Sequence, residues 1–238
     1  MSGHSKWHSI KHQKGAADAK RGAVFSKLAN AITVAARNGA DPEMNFQLRL
    51  AVDRARAANM PKDNIERAID KVKGGGASAM EEITFEAYGP GGTAFLIETA
   101  TDNRNRSVGD IRAVLNKYDA KLAESGSVGY LFKKRGQIVL ENVDPETAEL
   151  AAIEAGAEDF ETEDSRVFIY TDPKELEHVR RSLATAGFES NEVSFEFHPT
   201  TTVPITDDKL SERIIKLATA LDDLDDVTKV SSNFELNN

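Results

Sequence analysis

The chain has 238 residues, 40% of them hydrophobic and 29% charged, with a formal net charge of -9 and no cysteine. Such a composition fits a globular protein with room for one large domain or two to three small ones. It excludes a disulfide scaffold and thiolate chemistry, and no apolar run approaches the ~20 residues of a membrane-spanning helix.

The charge is segregated along the chain. Residues 1–73 hold 14 Lys and Arg against 7 Asp and Glu, residues 74–136 hold 8 of each, and residues 137–238 hold 8 against 24. One end therefore suits a polyanion, while the other is repelled by one and favours solubility. The basic start is followed by no apolar stretch of the secretory kind. It is rich in Lys and His rather than Arg and Ser, unlike a transit peptide. A cytoplasmic protein is expected.

Residues 3–22, GHSKWHSIKHQKGAADAKRG, contain almost nothing that could enter a core, so residues 1–22 read as a basic flexible arm. Residues 23–76 read as a three-helix bundle. In GAVFSKLANAITVAARNG, Val24, Phe25, Leu28, Ile32 and Ala35 recur at three- and four-residue steps, with Gly39 as the stop. A second helix is expected to start with Asp41 as cap and Pro42 in its first turn, with Phe46, Leu50 and Ala57 on one face beside Leu48 and Val52. A third starts at Pro61, with Ile65, Ile69 and Val72 inward. Gly74, Gly75 and Gly76 read as a linker.

From residue 81 the period changes to two. EITFEAYG turns Ile83, Phe85 and Ala87 inward and Thr84, Glu86 and Tyr88 outward. YGPGG is a tight turn, TAFLIETA a second strand, and SVGDIRAVLNKYDA a helix capped by Ser107 with Val108, Ile111, Val114, Leu115 and Tyr118 inward. SVGYLFKK and GQIVLENV read as strands joined at a basic turn, Lys134–Arg135. Residues 136–200 then run strand, helix, strand, strand, helix, strand, the βαββαβ order of a ferredoxin-like domain. HPTTTVPIT is a linker. A final helix with Leu210, Ile214, Leu217 and Leu221 inward and a last strand, DVTKVSSNF, complete the earlier sheet. The expected architecture is α+β and multi-domain. The bundle precedes two α/β sandwich domains, residues 77–135 with 201–238, and residues 136–200 inserted between them.

No catalytic constellation is visible: GxxxxGK[ST], HExxH and GxSxG are all missing. His178 reads as a surface residue and His198 as a loop residue. Asp222, Asp223, Asp225 and Asp226 lack the spacing of a calcium loop and read as a solvated helix end. His4, His8 and His12 recur every four residues, but without an apolar stripe to hold a helix, so no metal site is assigned. No cofactor is expected.

The basic arm is more telling. Lys6, Lys11, Lys14, Lys20, Arg21 and Lys27 stand against Asp18 in the first thirty residues, with Trp7 among them able to stack on a base. A solubilising tail is the alternative. In TDNRNRSVGD, Arg104 and Arg106 precede a helix N-terminus that favours anions, and Asn103 and Asn105 add amide donors for phosphate, ribose or base. A purely structural loop is the alternative there.

The motifs GHSKWHSIKHQKGAADAKRGAVFSKL, NMPKDNIERAI, YGPGGTA, TDNRNR, GSVGYLF and EAGAEDF, in this order, resemble the YebC/PmpR family of bacterial proteins. That family includes the mitochondrial translational activator of cytochrome oxidase subunit one. The resemblance spans residues 2 to about 235. It implies a helical bundle and two α/β domains around a cleft, and no enzymatic activity. By naming tradition it implies a DNA-binding transcriptional regulator. It also implies a ribosome-associated translation factor acting on stalls such as consecutive prolines. The residues favour the second. No bundle helix shows a recognition-helix pattern, and an acidic protein is a poor duplex binder outside its basic third. An enzyme with a phosphate-bearing ligand is disfavoured because no base or nucleophile is evident. The expected partners are rRNA or tRNA, or else promoter DNA, and the ribosome. Neither a membrane nor an obvious oligomerisation patch is expected, so monomer is the default.

Overall fold

The computed structural model describes residues 18–73, 80–163 and 165–236, with the side chains of residues 18–21 and 73 left aside. The predicted glycine linker at 74–76 lies outside the described residues. Contacts divide the chain into two compact units, one running up to Leu131 and resuming at Thr201, the other Phe132–Thr200. No helix among the described residues is long and apolar enough to cross a membrane.

The first unit opens with α1 (Asp18–Ala36), α2 (Phe46–Ala57) and α3 (Lys62–Lys73). Each carries an apolar stripe too narrow to be hidden alone. Leu28, Ile32 and Ala36 of α1 meet Leu48, Val52 and Ala55 of α2 and Ile65 and Ala68 of α3. The stripe of α1 is rotated from the expected one, and Val24 faces solvent. Helix α1 already begins at Asp18, so Lys20 and Arg21 stand in its first turns and not in the arm.

Helix α2 starts at Phe46 rather than after Asp41. The buried Asn45 decides this. Its Oδ1 accepts the Leu48 N–H, and its Nδ2 donates to the carbonyls of Ala35 and Gly39. One side chain thus caps α2 and satisfies the end of α1, three backbone groups at once. Asp41 forms only a local turn, accepting the Glu43 N–H at 2.9 Å.

Strands β1 (Glu81–Tyr88), β2 (Ala94–Thr101), β3 (Lys121–Leu122) and β9 (Val227–Ser232) form an antiparallel sheet in the order β3-β1-β2-β9. Helices α4 (Arg104–Lys117) and α7 (Asp208–Asp222) pack on it. Their Ile111, Leu115, Ile214, Leu217 and Leu221 join Phe85, Phe95, Ile97 and Val230 in one core. Each such side chain, fully buried, stabilises by about 1.5–3 kcal/mol, which holds α7 to the sheet although the intervening segment folds elsewhere. The predicted linker contains a strand, β8 (Val203–Ile205), which pairs in parallel with β10 (Phe234–Leu236). Helix α1 also packs against β2 and β9, and the Arg37 guanidinium donates to the Met80 carbonyl.

The second unit comprises β4 (Phe132–Glu141), α5 (Pro145–Glu154), β5 (Asp159–Glu163), β6 (Arg166–Thr171), α6 (Leu176–Thr185) and β7 (Glu192–Pro199). Its antiparallel order β5-β6-β4-β7 is that of a split βαβ. Lys134 and Arg135 do not form a turn. Strand β4 runs unbroken beside β7 from Phe132 opposite Pro199 to Val139 opposite Glu192. Gly136 serves packing: a Cβ there would lie 2.4 Å from the Thr171 hydroxyl oxygen and 2.8 Å from Leu176. The Lys134 ammonium lies over the rings of Phe195 and Phe197, at 5.3 and 5.8 Å. His198 is within β7, its ring edge-on to Tyr170 at 4.3 Å, and is not a loop residue. His178 is exposed on α6.

Candidate nucleic-acid interface

Of the predicted contact residues, Lys6, Trp7, Lys11 and Lys14 lie outside the described residues, as do His4, His8 and His12. Lys20 and Arg21 are placed by the helical backbone of α1. The half-buried Lys27 is committed: its ammonium donates to the Asp222 carbonyl at the end of α7. A phosphate would have to displace that bond, so Lys27 holds the bundle to α7 in the first unit.

The segment Thr101–Ser107 differs most from expectation. The N-cap of α4 is Asn103, whose Oδ1 accepts the Arg106 N–H at 3.1 Å, so the helix starts at Arg104. Ser107 is therefore no cap. It is buried one turn inside, and its Oγ lies 2.7 Å from Asp226 Oδ2 and 2.8 Å from Thr101 Oγ1. Thr101 Oγ1 lies 3.0 Å from the same carboxylate oxygen. Arg106 completes the set, with Nη2 at 2.9 Å from both oxygens of Asp226 and Nε at 3.2 Å from Oδ2. It also reaches Asp102 Oδ1 at 2.9 Å.

Asp226 is thus a buried carboxylate rather than part of a solvated helix end. Burial alone would push its carboxyl up; hydrogen bonds from Arg106, Ser107 and Thr101 outweigh this and hold it below the usual aspartate range. Arg106 is held above its ordinary value, first by its hydrogen bonds to Asp226 and Asp102. Beside this pair a shallow depression is lined by Arg106, Asp110, Asp223, Leu224, Asp225 and Asp226. Four carboxylates around one paired guanidinium repel a phosphate. Arg106 is therefore committed to Asp226 and Asp102, and an anion would have to compete with both carboxylates for it. Arg104 and Asn105 remain exposed, and Arg104 makes no ion pair among the described residues. No cluster of His, Asp or Glu among the described residues could hold a metal ion.

Most bundle cations are also engaged. Arg49 donates to the carbonyls of Pro42 and Glu43. Arg56 pairs with Asp53 and Lys62 with Glu66, and Arg67 donates to the Asp63 carbonyl and Asn64. Arg54 and Lys71 are exposed and carry no ion pair among the described residues.

Period-two alternation missed Glu86. It is buried, and its carboxylate accepts the N–H groups of Gly126, Val128 and Gly129 at 2.7, 2.6 and 2.8 Å. Burial opposes its ionisation, but these backbone donors prevail and keep the carboxyl below the usual glutamate range. An acid in mid-strand and a glycine-rich SGSVG ahead in the chain are the two signals that could have been joined.

Comparison with known proteins places these features in company. Residues 5–75 match the TACO1/YebC protein N-terminal domain, and residues 80–234 match the TACO1/YebC second and third domain. A "probable transcriptional regulatory protein" of Roseiflexus castenholzii is 51% identical over 99% of this chain and 96% of its own length. One of the same name from Geotalea uraniireducens is 48% identical over 99% and 96%. The crystal structure of a conserved hypothetical protein from Aquifex aeolicus superposes with a TM-score of 0.86 at 41% identity, covering 93% of both chains.

Proposed function

This chain belongs to the TACO1/YebC family, and we propose that it is a non-enzymatic, nucleic-acid-binding regulator of gene expression that acts at the ribosome in the cytoplasm. It engages rRNA or tRNA through its basic N-terminal third and relieves stalled translation. The observation that carries this reading is the segregation of charge: 14 Lys and Arg against 7 Asp and Glu in residues 1–73, and 8 against 24 in residues 137–238. Each phosphate neutralised releases counterions, so the basic end supplies salt-dependent affinity while the acidic end is turned away.

RNA is favoured over duplex DNA by the described bundle. Helix α3 exposes Asp63, Glu66 and Asp70 beside Lys62, Arg67 and Lys71. That mixed face is a poor fit to a groove walled by phosphates. A transcriptional regulator reading promoter DNA is the second reading, favoured by the name its relatives carry.

The test is binding of full-length protein to rRNA fragments, tRNA and duplex DNA across a salt series. The reading expects RNA to bind tighter than DNA. It expects Lys11→Glu with Lys14→Glu to weaken binding and to flatten the salt slope by at least ~1.4, two contacts at about 0.7 each. Tighter binding to a duplex, with no effect of the arm variant, would overturn it.

A further inference from the structure

The two helices of the second unit divide their faces in opposite ways. Helix α6 is amphipathic in the ordinary sense: Leu176, Val179 and Leu183 are buried, and His178, Arg181 and Thr185 face water. Helix α5 is inverted. Its buried face is Ala148 and Ala152, with Ala155 just past its end, and it packs on β5 and β6. Its large apolar side chains point away from that core: Leu150 is 62% exposed and Ile153 58%. Three residues apart on a helix, they are neighbours on its surface. A single exposed leucine is ordinary; a helix that gives its alanines to the core and its leucine and isoleucine to water is not.

The charges around this pair carry one sign. Glu146 stands one turn before Leu150, and Glu149 and Glu154 flank the pair on its two sides. Glu149 also accepts the Thr162 hydroxyl through Oε1 at 2.8 Å, and Asp144 caps the helix. Residues 141–164 hold ten Asp and Glu and no Lys or Arg. Cations on the neighbouring elements are engaged elsewhere: Arg166 with Glu141, Arg180 and Arg181 with Glu177, and Lys133 and Arg135 with Glu158. Lys174, exposed in the turn ahead of α6, carries no ion pair among the described residues, but it is one charge against ten.

We propose that the outward face of α5 docks a basic protein, which receives Leu150 and Ile153 in an apolar recess and presents Lys or Arg to Glu146, Glu149 and Glu154. The apolar pair supplies affinity, and the acidic rim selects the partner and steers its approach. RNA, DNA and anionic lipid are repelled by the same rim. A neutral apolar partner would bury carboxylates without a counter-charge. A second copy joined through this same face would set the glutamates against their own counterparts. Two side chains make a small contact, so the complex is a weak and reversible one. The proposal gives the acidic end of the chain a task of its own and does not rest on the nucleic-acid reading.

The probes are three fluorescent helical peptides titrated with full-length protein: one with a leucine stripe and lysines elsewhere, one with glutamates in place of the lysines, and one with serines in place of the leucines. Wild type is expected to bind the first and neither of the others, with affinity falling as salt is raised. Leu150→Ala with Ile153→Ala keeps helix-forming residues at exposed positions, so its melting curve should match that of wild type. It is expected to bind the leucine–lysine peptide at least about tenfold more weakly. Glu146→Lys with Glu154→Lys is expected to reject that peptide and accept the leucine–glutamate one. If wild type fails to bind the leucine–lysine peptide, or the alanine variant binds it equally well, the docking face is wrong. If the leucine–glutamate peptide binds wild type as tightly, the basic partner is wrong. If wild type sediments as a dimer and the alanine variant as a monomer, the occupant is a second copy and the proposal falls. Neither variant is expected to change RNA binding, so failure here leaves the nucleic-acid reading intact.

Discussion

Arg106 and Asp226, 120 residues apart in the chain, meet through two oxygens at 2.9 Å and join the start of α4 to the start of β9. The pair closes the carboxylate side with Ser107 and Thr101 and leaves the guanidinium partly in water. Arg106→Ala would strand a buried carboxylate with two hydroxyls. Removing one partner of a buried pair costs 3–5 kcal/mol, and the half-exposed arginine reduces this to about 2 kcal/mol here. Circular-dichroism melting should show the transition of Arg106→Ala lowered by about 4–8 °C, with Arg104→Ala, whose side chain pairs with nothing described, unchanged within a degree or two.

Two buried carboxylates, Asp226 and Glu86, have their carboxyls held below the ordinary range in the folded protein. The unfolded chain therefore binds more protons than the folded one in acid, and stability rises with pH. Their contribution is complete at neutral pH. It falls once pH drops to the ordinary carboxylate values of about 4 and is gone below the folded ones. Urea midpoints measured from pH 7 down to pH 3 should decline for wild type, and Asp226→Asn should show a shallower decline from a lower starting point. A steeper decline in the variant would contradict the assignment.

Gly136→Ala tests the close approach of β4 to α6. The added methyl meets Thr171 at 2.4 Å and Leu176 at 2.8 Å, an overpacking worth about 1–3 kcal/mol. Limited proteolysis should then cut within Phe132–Thr200 sooner than elsewhere. Equal protection of Gly136→Ala and wild type would contradict the close approach at this position.

Lys11→Glu with Lys14→Glu changes charge in a stretch with almost nothing that could enter a core, so its melting curve is expected to coincide with that of wild type, while RNA affinity at moderate salt falls at least tenfold. A shared loss of stability would make the arm structural.

The helical stripes and the alternation of strands were legible because burial imposes periods of 3.6 and 2 on the chain. Leu210, Ile214, Leu217 and Leu221, and the βαββαβ order, follow from that alone. What escaped are features decided by residues far apart in sequence. Asp41 and Ser107 are sound helix caps locally, but Asn45 also ties down the end of α1, and Ser107 is drawn inward to Asp226 while Asn103 caps α4. Glu86 alternates outward until the 126–129 backbone arrives over it. Asp226 looks like one of a row of solvated acids until Arg106 and Ser107 enclose it. For the same reason Arg104 and Arg106, read together in the sequence, differ in space: Arg106 is paired with Asp226, whereas Arg104 is exposed. The charge segregation needed no structure to be seen.

The measurement that bears most directly on the function is ultraviolet crosslinking in growing cells, followed by sequencing of the RNA and the DNA bound to this protein. The account expects reads concentrated in rRNA or tRNA and lost when residues 1–22 are deleted. Reads concentrated at a few promoters, with rRNA at background and no effect of the deletion, would contradict it.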